Sequence, residues 1–248
     1  MEPKEQNNIN DRIERLIKSF PENHYASEEE ISFLKRYDKC DDFILSNKLI
    51  EDLWSWFRGE IINYSVEGDK QLPSPVSLLH TNSGAGKLLE SAPKNTIINA
   101  YNLDYICKRI TEFVCQERKE KGMFYSFERD ISQYFAVCNT NSSRKYNIVI
   151  TQPDEDSSFY KSIDNEQEVG ELSPLEYYIK RASHFVNENG YLVVICPQNY
   201  EIALSRLQEL AGMKIVKQLK DQAIQTLAIA GADKDLEYLS YEAIVFKK

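Results

Sequence analysis

Among these 248 residues no run of about 18 apolar residues occurs, so the sequence offers no membrane-spanning helix. The start, MEPKEQNNIN, lacks the basic and apolar regions of a secretion signal, and a cytoplasmic location is expected. The five cysteines include no C-x-x-C pair. Cys40, Cys107, Cys115, Cys138 and Cys196 are therefore read as reduced thiols, with Cys107 and Cys115 as small apolar fillers of one helix and no metal expected. Only His24, His80 and His184 are present, in neither a zinc-ligand spacing nor a nucleophile elbow, which leaves hydrolase chemistry without a constellation. Gly84-Ala85-Gly86-Lys87 lacks the spacing and the Ser or Thr of a phosphate loop. Positive charge is also short, with 30 basic against 39 acidic residues and a net charge of −9. A broad nucleic-acid footprint needs the reverse.

Against these absences stands one turn. Leu78 to Leu89, LLHTNSGAGKLL, is an apolar run broken by Ser83-Gly84-Ala85-Gly86 and then resumed. It reads as strand, tight glycine turn and helix start, which brings backbone N–H groups close to a ligand; an ordinary packing turn is the alternative. Ile97–Tyr101, Tyr146–Ile150 and Tyr191–Ile195 read as further buried strands, with helical periods between them. That alternation predicts an α/β fold, a mostly parallel Rossmann-like sheet covered on both faces. Ligands of such sheets bind beyond the carboxyl ends of the strands. The glycine turn, Asn102 to Asp104 and Thr151 to Asp154 would share that edge.

Residues 1–67 read as a helical annex, 68–75 as a connection bracketed by Pro73 and Pro75, and 76–248 as the Rossmann-like domain. Ile13, Leu16, Ile17 and Phe20 keep helical spacing before Pro21, and Ser27 with Glu30 forms a capping-box pattern. A further helix is expected from Ser46, carrying Trp54 and Trp56 on different faces. Ser173-Pro174-Leu175-Glu176 predicts a capped helix running to about Glu188 and ended by Asn189-Gly190. Tyr200–Ala211 reads as a helix, Met213–Leu219 and Glu242–Phe246 as strands. Ala223–Ala232 reads as a strand of a terminal antiparallel hairpin.

The order of these parts resembles that of S-adenosylmethionine-dependent N6-adenine DNA methyltransferases. The likeness rests on the glycine loop, the second strand with its polar end, Glu128-Arg129-Asp130-Ile131, the strand ending in Gln152-Pro153, and the segment from Ser173 to Pro197; it reaches back to the helix at Ser27–Tyr37. It implies S-adenosylmethionine as cofactor, with His80, Ser83, Gly84, Gly86, Asn102, Asp104 and Asp130 along its site and Gln152 and Pro153 in the catalytic motif. Several motif positions depart from the family. His80-Thr81 stands where an acid and a proline lead into the loop, and Asn102 where an acid binds the ribose. Gln152-Pro153-Asp154-Glu155 replaces an Asn or Asp, two prolines and an aromatic ring; Phe159 or Tyr160 is the nearest substitute for the ring. Phe43–Asn47 replaces a motif beside the cofactor. The acidic stretch from Asp154 to Glu171 would border DNA and repel it. The chain stops at Lys248 with no separate target-recognition domain expected.

Three readings follow. The chain is a degenerate, non-catalytic or weakly active module with a protein partner and weak DNA affinity, an active divergent adenine methylase using Gln152, or a small-molecule or protein methyltransferase.

Overall fold

The structure, a computed structural model, describes residues 3–39, 45–66, 75–102, 104–128, 144–153, 172–198, 200, 202–221, 225–226, 238–239 and 241–248. Asp130, Phe159, Tyr160, Phe43 and the acidic stretch from Asp154 to Glu171 lie outside them.

The apolar runs become strands. These are β1 (Val76–His80), β2 (Thr96–Asn102), β3 (Phe124–Glu128), β4 (Tyr146–Thr151) and β5 (Val186–Pro197), followed by β6 (Lys214–Lys220), β7 (Gln225–Thr226), β8 (Tyr238–Leu239) and β9 (Tyr241–Lys247). Seven of them form one sheet in the order β3-β2-β1-β4-β5-β9-β6, while β7 and β8 pair separately. The pairs from β3 through β5 are parallel. β9 runs antiparallel to both β5 and β6. The expected terminal hairpin is thus made by β6 and β9; of Ala223–Ala232 only Gln225–Thr226 is described as strand. Strand order reverses between β1 and β4, and such a reversal opens a crevice at the carboxyl edge of the sheet.

Helices cover both faces. α1 (Pro3–Ser19), α2 (Glu28–Leu34) and α3 (Asn47–Val66) precede the sheet; α4 (Lys87–Glu90), α5 (Tyr105–Val114), α6 (Gln116–Glu120), α7 (Pro174–Ser183) and α8 (Leu204–Ala211) follow its strands. One face packs Leu78, Ile98, Ile150 and Val193 against Leu53, Trp54 and Phe57 of α3 and Leu88 and Leu89 of α4. The other packs Leu79, Val149, Leu192 and Ile244 against α7 and α8. This period-two division is why both faces of the central strands are apolar. A third cluster joins α1 and α2 to α5 through Ile13, Ile17, Leu34, Ile106 and Ile110. Trp54 is fully buried and donates from Nε1 to the Leu88 carbonyl at 2.8 Å. Trp56 sits edge-on to Phe57 and Tyr191, so the second tryptophan packs as well.

Both capping boxes form, Ser27 with Glu30 and Ser173 with Glu176. Other boundaries move. α1 begins at Pro3, so the polar, Asn-rich start is helical, and α8 begins only at Leu204. α7 stops at Ser183, before the expected Glu188, because Val186 enters β5 beside Tyr146, whose N–H bonds the Phe185 carbonyl at 2.7 Å. Cys107 is bonded in a disulfide, which corrects the reading of five reduced thiols; Cys115 and Cys196 are buried thiols. Isolated cysteines carry no spacing signal by which sequence could pair them.

Candidate functional site

The carboxyl edge beside the reversal gathers an unusual density of buried polar groups. His80 ends β1 and Thr81, Asn82 and Ser83 follow it, Asn102 closes β2, and Thr151 ends β4 with Gln152 next; all are buried. Backbone and side-chain bonds tie the three strand ends together. Thr81 N–H donates to the Ile150 carbonyl at 3.0 Å and its hydroxyl meets that of Thr151 at 2.9 Å. Ser83 N–H donates to the Tyr101 carbonyl at 2.9 Å.

From Ser83 the chain turns through two left-handed residues, Gly84 at φ 53° and Gly86 at φ 78°. Glycine is required at the second for two reasons. The dihedral disfavours any side chain, and a Cβ there would stand 3.1 Å from Thr111 Cγ2 and 3.2 Å from Thr111 Cα. The turn thus presses directly on α5. Thr111 Oγ1 lies 2.7 Å from the Gly84 carbonyl and 2.9 Å from that of Cys107, and accepts from Asn102 Nδ2 at 3.4 Å. One fully buried hydroxyl therefore links the glycine turn, the following helix and the end of β2. The helix opened by the turn, α4, has only four residues. In so short a helix the dipole is small, and the turn's contribution is close backbone approach.

Asn102 Oδ1 and His80 Nε2, both buried on this edge, have no hydrogen-bond partner among the described residues. His80 Nδ1 accepts from Asn82 N–H at 3.3 Å, which leaves the imidazole proton on Nε2. Burial alone pushes the His80 pKa down to about 3, so the ring is neutral at ordinary pH. It offers this edge an uncharged donor.

Asp104 is engaged locally. It is exposed and caps α5, its Oδ1 accepting from Ile106 N–H at 2.7 Å and Cys107 N–H at 3.0 Å. That cap follows from Asp placed just before an apolar helical stripe. Lys87 donates to the Leu45 carbonyl rather than crossing to a carboxylate. Among the described residues, the expected set His80, Ser83, Gly84, Gly86, Asn102, Gln152 and Pro153 lies along one edge, while Asp104 turns to its helix. Sequence reasoning missed Thr111, a mid-helix threonine whose only signal is its distance from the turn in space, not along the chain. No group of three His, Cys, Asp or Glu among the described residues is placed to hold a metal, and no described helix is long and apolar enough to cross a membrane.

No family model and no curated protein sequence matches this chain. Solved structures do. A Listeria monocytogenes protein assigned to the class I S-adenosylmethionine-dependent methyltransferases aligns over 94% of this chain and 70% of its own, with TM-score 0.53 and 12% identity. The chain has the class I methyltransferase fold. The same comparison finds an assigned RNA methyltransferase from Pyrococcus horikoshii over 96% and 98% of the two chains, with TM-score 0.49 and 14% identity. It also finds the N-methyltransferase NodS from Bradyrhizobium japonicum in complex with S-adenosyl-L-homocysteine, over 97% and 98%, with TM-score 0.45 and 10% identity. Identities this low speak to fold and not to substrate. In this methyltransferase fold the edge holding Asn102 and the glycine turn is the carboxyl edge at the strand-order reversal.

Proposed function

We propose that this chain binds S-adenosylmethionine through a weakened class I edge and acts as a non-catalytic or weakly active module related to the N6-adenine DNA methyltransferases. The observation that carries this reading is the unpartnered Oδ1 of Asn102, buried at the end of β2 beside the glycine turn. A ribose hydroxyl donating to that oxygen would satisfy an atom that otherwise carries an unmet desolvation penalty of about 1–3 kcal/mol. The cofactor therefore fits the residues present, with Asn102 on the ribose and the Ser83–Gly86 backbone alongside. It fits them less well than a carboxylate edge. An amide carbonyl lacks charge, and charge-assisted hydrogen bonds are about twice as strong as neutral ones. Asp104 does not make up the difference while one of its oxygens is held by two N–H groups of α5.

Once bound, the cofactor supplies a methyl group activated by its sulfonium. Gln152 supplies a carbonyl that accepts from an adenine amino group, but it is one methylene longer than the family's Asn. A misplacement of about an ångström lowers a rate by roughly a hundredfold. The test is methyl transfer from labelled cofactor to adenine-containing DNA, read beside cofactor binding. Binding with turnover far below the usual range of about 1–1,000 per second supports the proposal. Turnover within that range contradicts it and favours the active reading, in which Gln152→Ala abolishes transfer and leaves cofactor affinity unchanged. Transfer to proteins or small molecules, with none to DNA, also contradicts it.

A further inference from the structure

A cleft of about 1210 Å3 opens toward the edge of the sheet opposite Asn102 and Gln152. Its walls are α2, the segment from Glu90 to Lys94 that leads into β2, and the end of α5 with α6. In a parallel sheet the segment entering a strand and the end of a returning helix both lie at the amino edge, so this cleft is separate from the carboxyl-edge site.

Its floor is apolar, with Ile31, Phe113 and Met123, and Tyr25 stands at its wall, 54% exposed. Its cations converge on one short segment. Arg118, half-buried, donates to the carbonyls of Pro93, at 3.1 Å, and of Ala92, while Arg58 Nη2 donates to the Ser91 carbonyl at 3.1 Å. Carbonyls fix a guanidinium in place without neutralising it. Lys94 is exposed on the same segment, and Lys121 lies beyond Arg118. Lys35 is matched by Glu90 at 2.5 Å. With that pair set aside, four cations face Glu28 and Glu117 in the lining of a chain whose net charge is −9. Desolvation also holds Arg118 below the usual arginine range, against the opposing pull of the neighbouring Glu117.

We propose that this cleft binds a nucleotide phosphate, its base against the apolar floor and Tyr25 and its phosphate between Arg58, Lys94 and Arg118. With one N–H of each Arg118 terminal nitrogen held by Pro93 and Ala92, the remaining N–H groups of a fixed guanidinium donate charge-assisted hydrogen bonds to phosphate oxygens. An exposed tyrosine offers a stacking face to any base. The volume accommodates a ligand of this size, small-molecule sites being about 300–1,000 Å3. An acidic peptide would spread single carboxylates along an extended chain, whereas the charge here centres on Ser91 to Lys94. A free nucleotide and the end of a nucleic-acid strand both present such a phosphate, and the two give different titrations.

The experiment titrates the full chain with ADP and, separately, with a short 5′-phosphorylated single-stranded oligonucleotide. Saturable binding of either is expected, ADP for a free nucleotide and the oligonucleotide alone for a strand end. The exposed double variant Arg58→Glu/Lys94→Glu should weaken it at least tenfold, and Tyr25→Ala about fivefold or more. Thermal unfolding and the S-adenosylmethionine titration should be unchanged in these variants, which keeps this outcome distinguishable from that of the cofactor reading. Absence of binding of both probes at millimolar concentration overturns the proposal. So does binding that survives charge reversal, or displacement of the probe by a poly-glutamate peptide at lower concentration.

Discussion

Replacing Gly86 with alanine tests how tightly the glycine turn is built against α5. Two costs add. A left-handed backbone costs an L side chain roughly 1–2 kcal/mol, and φ at Gly86 is 78°. The new methyl would also stand 3.1 Å from Thr111 Cγ2 and 3.2 Å from Thr111 Cα. The second contact is backbone and cannot rotate away, so an overpacking cost of about 1–3 kcal/mol is expected on top. The total for Gly86→Ala is about 2–5 kcal/mol. Gly122 supplies the control, because its φ is 65° and nothing lies within 4 Å of a Cβ there. Gly122→Ala should therefore cost only the backbone share, about 1–2 kcal/mol. Urea unfolding of both variants beside the parent chain gives the difference directly. Equal losses at the two positions would refute the claim that the turn is held by close contact with Thr111.

Two further outcomes follow from the same edge. Thr111→Val keeps the side chain's shape but leaves the Gly84 carbonyl and Asn102 Nδ2 without their hydroxyl partner, and should cost about 1–3 kcal/mol in thermal unfolding; Thr111→Ser should restore most of it, and a loss under about 0.5 kcal/mol in the valine variant contradicts the linkage. His80 titrates near 6.5 in the unfolded chain and at about 3 when folded, so the unfolded state gains the proton first as pH falls. The stability tied to neutral His80 is present above pH 6.5 and is lost on the way down to about pH 3. His80→Gln should flatten that slope, the parent losing about 2 kcal/mol more than the variant between pH 7 and pH 5. Equal losses would show that His80 is not buried in a neutral state.

The central strands were legible because buried parallel strands are continuous apolar runs. Leu78, Ile98, Val149 and Val193 each sit in one, and each is fully buried. The two capping boxes were legible because their hydrogen bonds are local. What failed to show was set by partners distant in sequence. The stretch after Ser183 reads as helix until Val186 pairs with Tyr146 of β4. From its position after β2, Asp104 reads as a carboxylate that reaches the ribose only if the backbone turns it inward, and the sequence does not show that two N–H groups of α5 hold its Oδ1. The amino-edge cleft leaves no sequence pattern, since its walls meet only through contacts such as the Gln116 side chain on the Ala26 backbone, 90 residues away.

The central claim is that the Asn102 edge still holds S-adenosylmethionine, and calorimetric titration of the parent chain and of Asn102→Asp tests it most directly. The account predicts parent binding between about micromolar and millimolar, roughly −8 to −4 kcal/mol, and about tenfold tighter binding once the carboxylate is restored. No heat with either protein at millimolar cofactor, or weaker binding by Asn102→Asp, would contradict it.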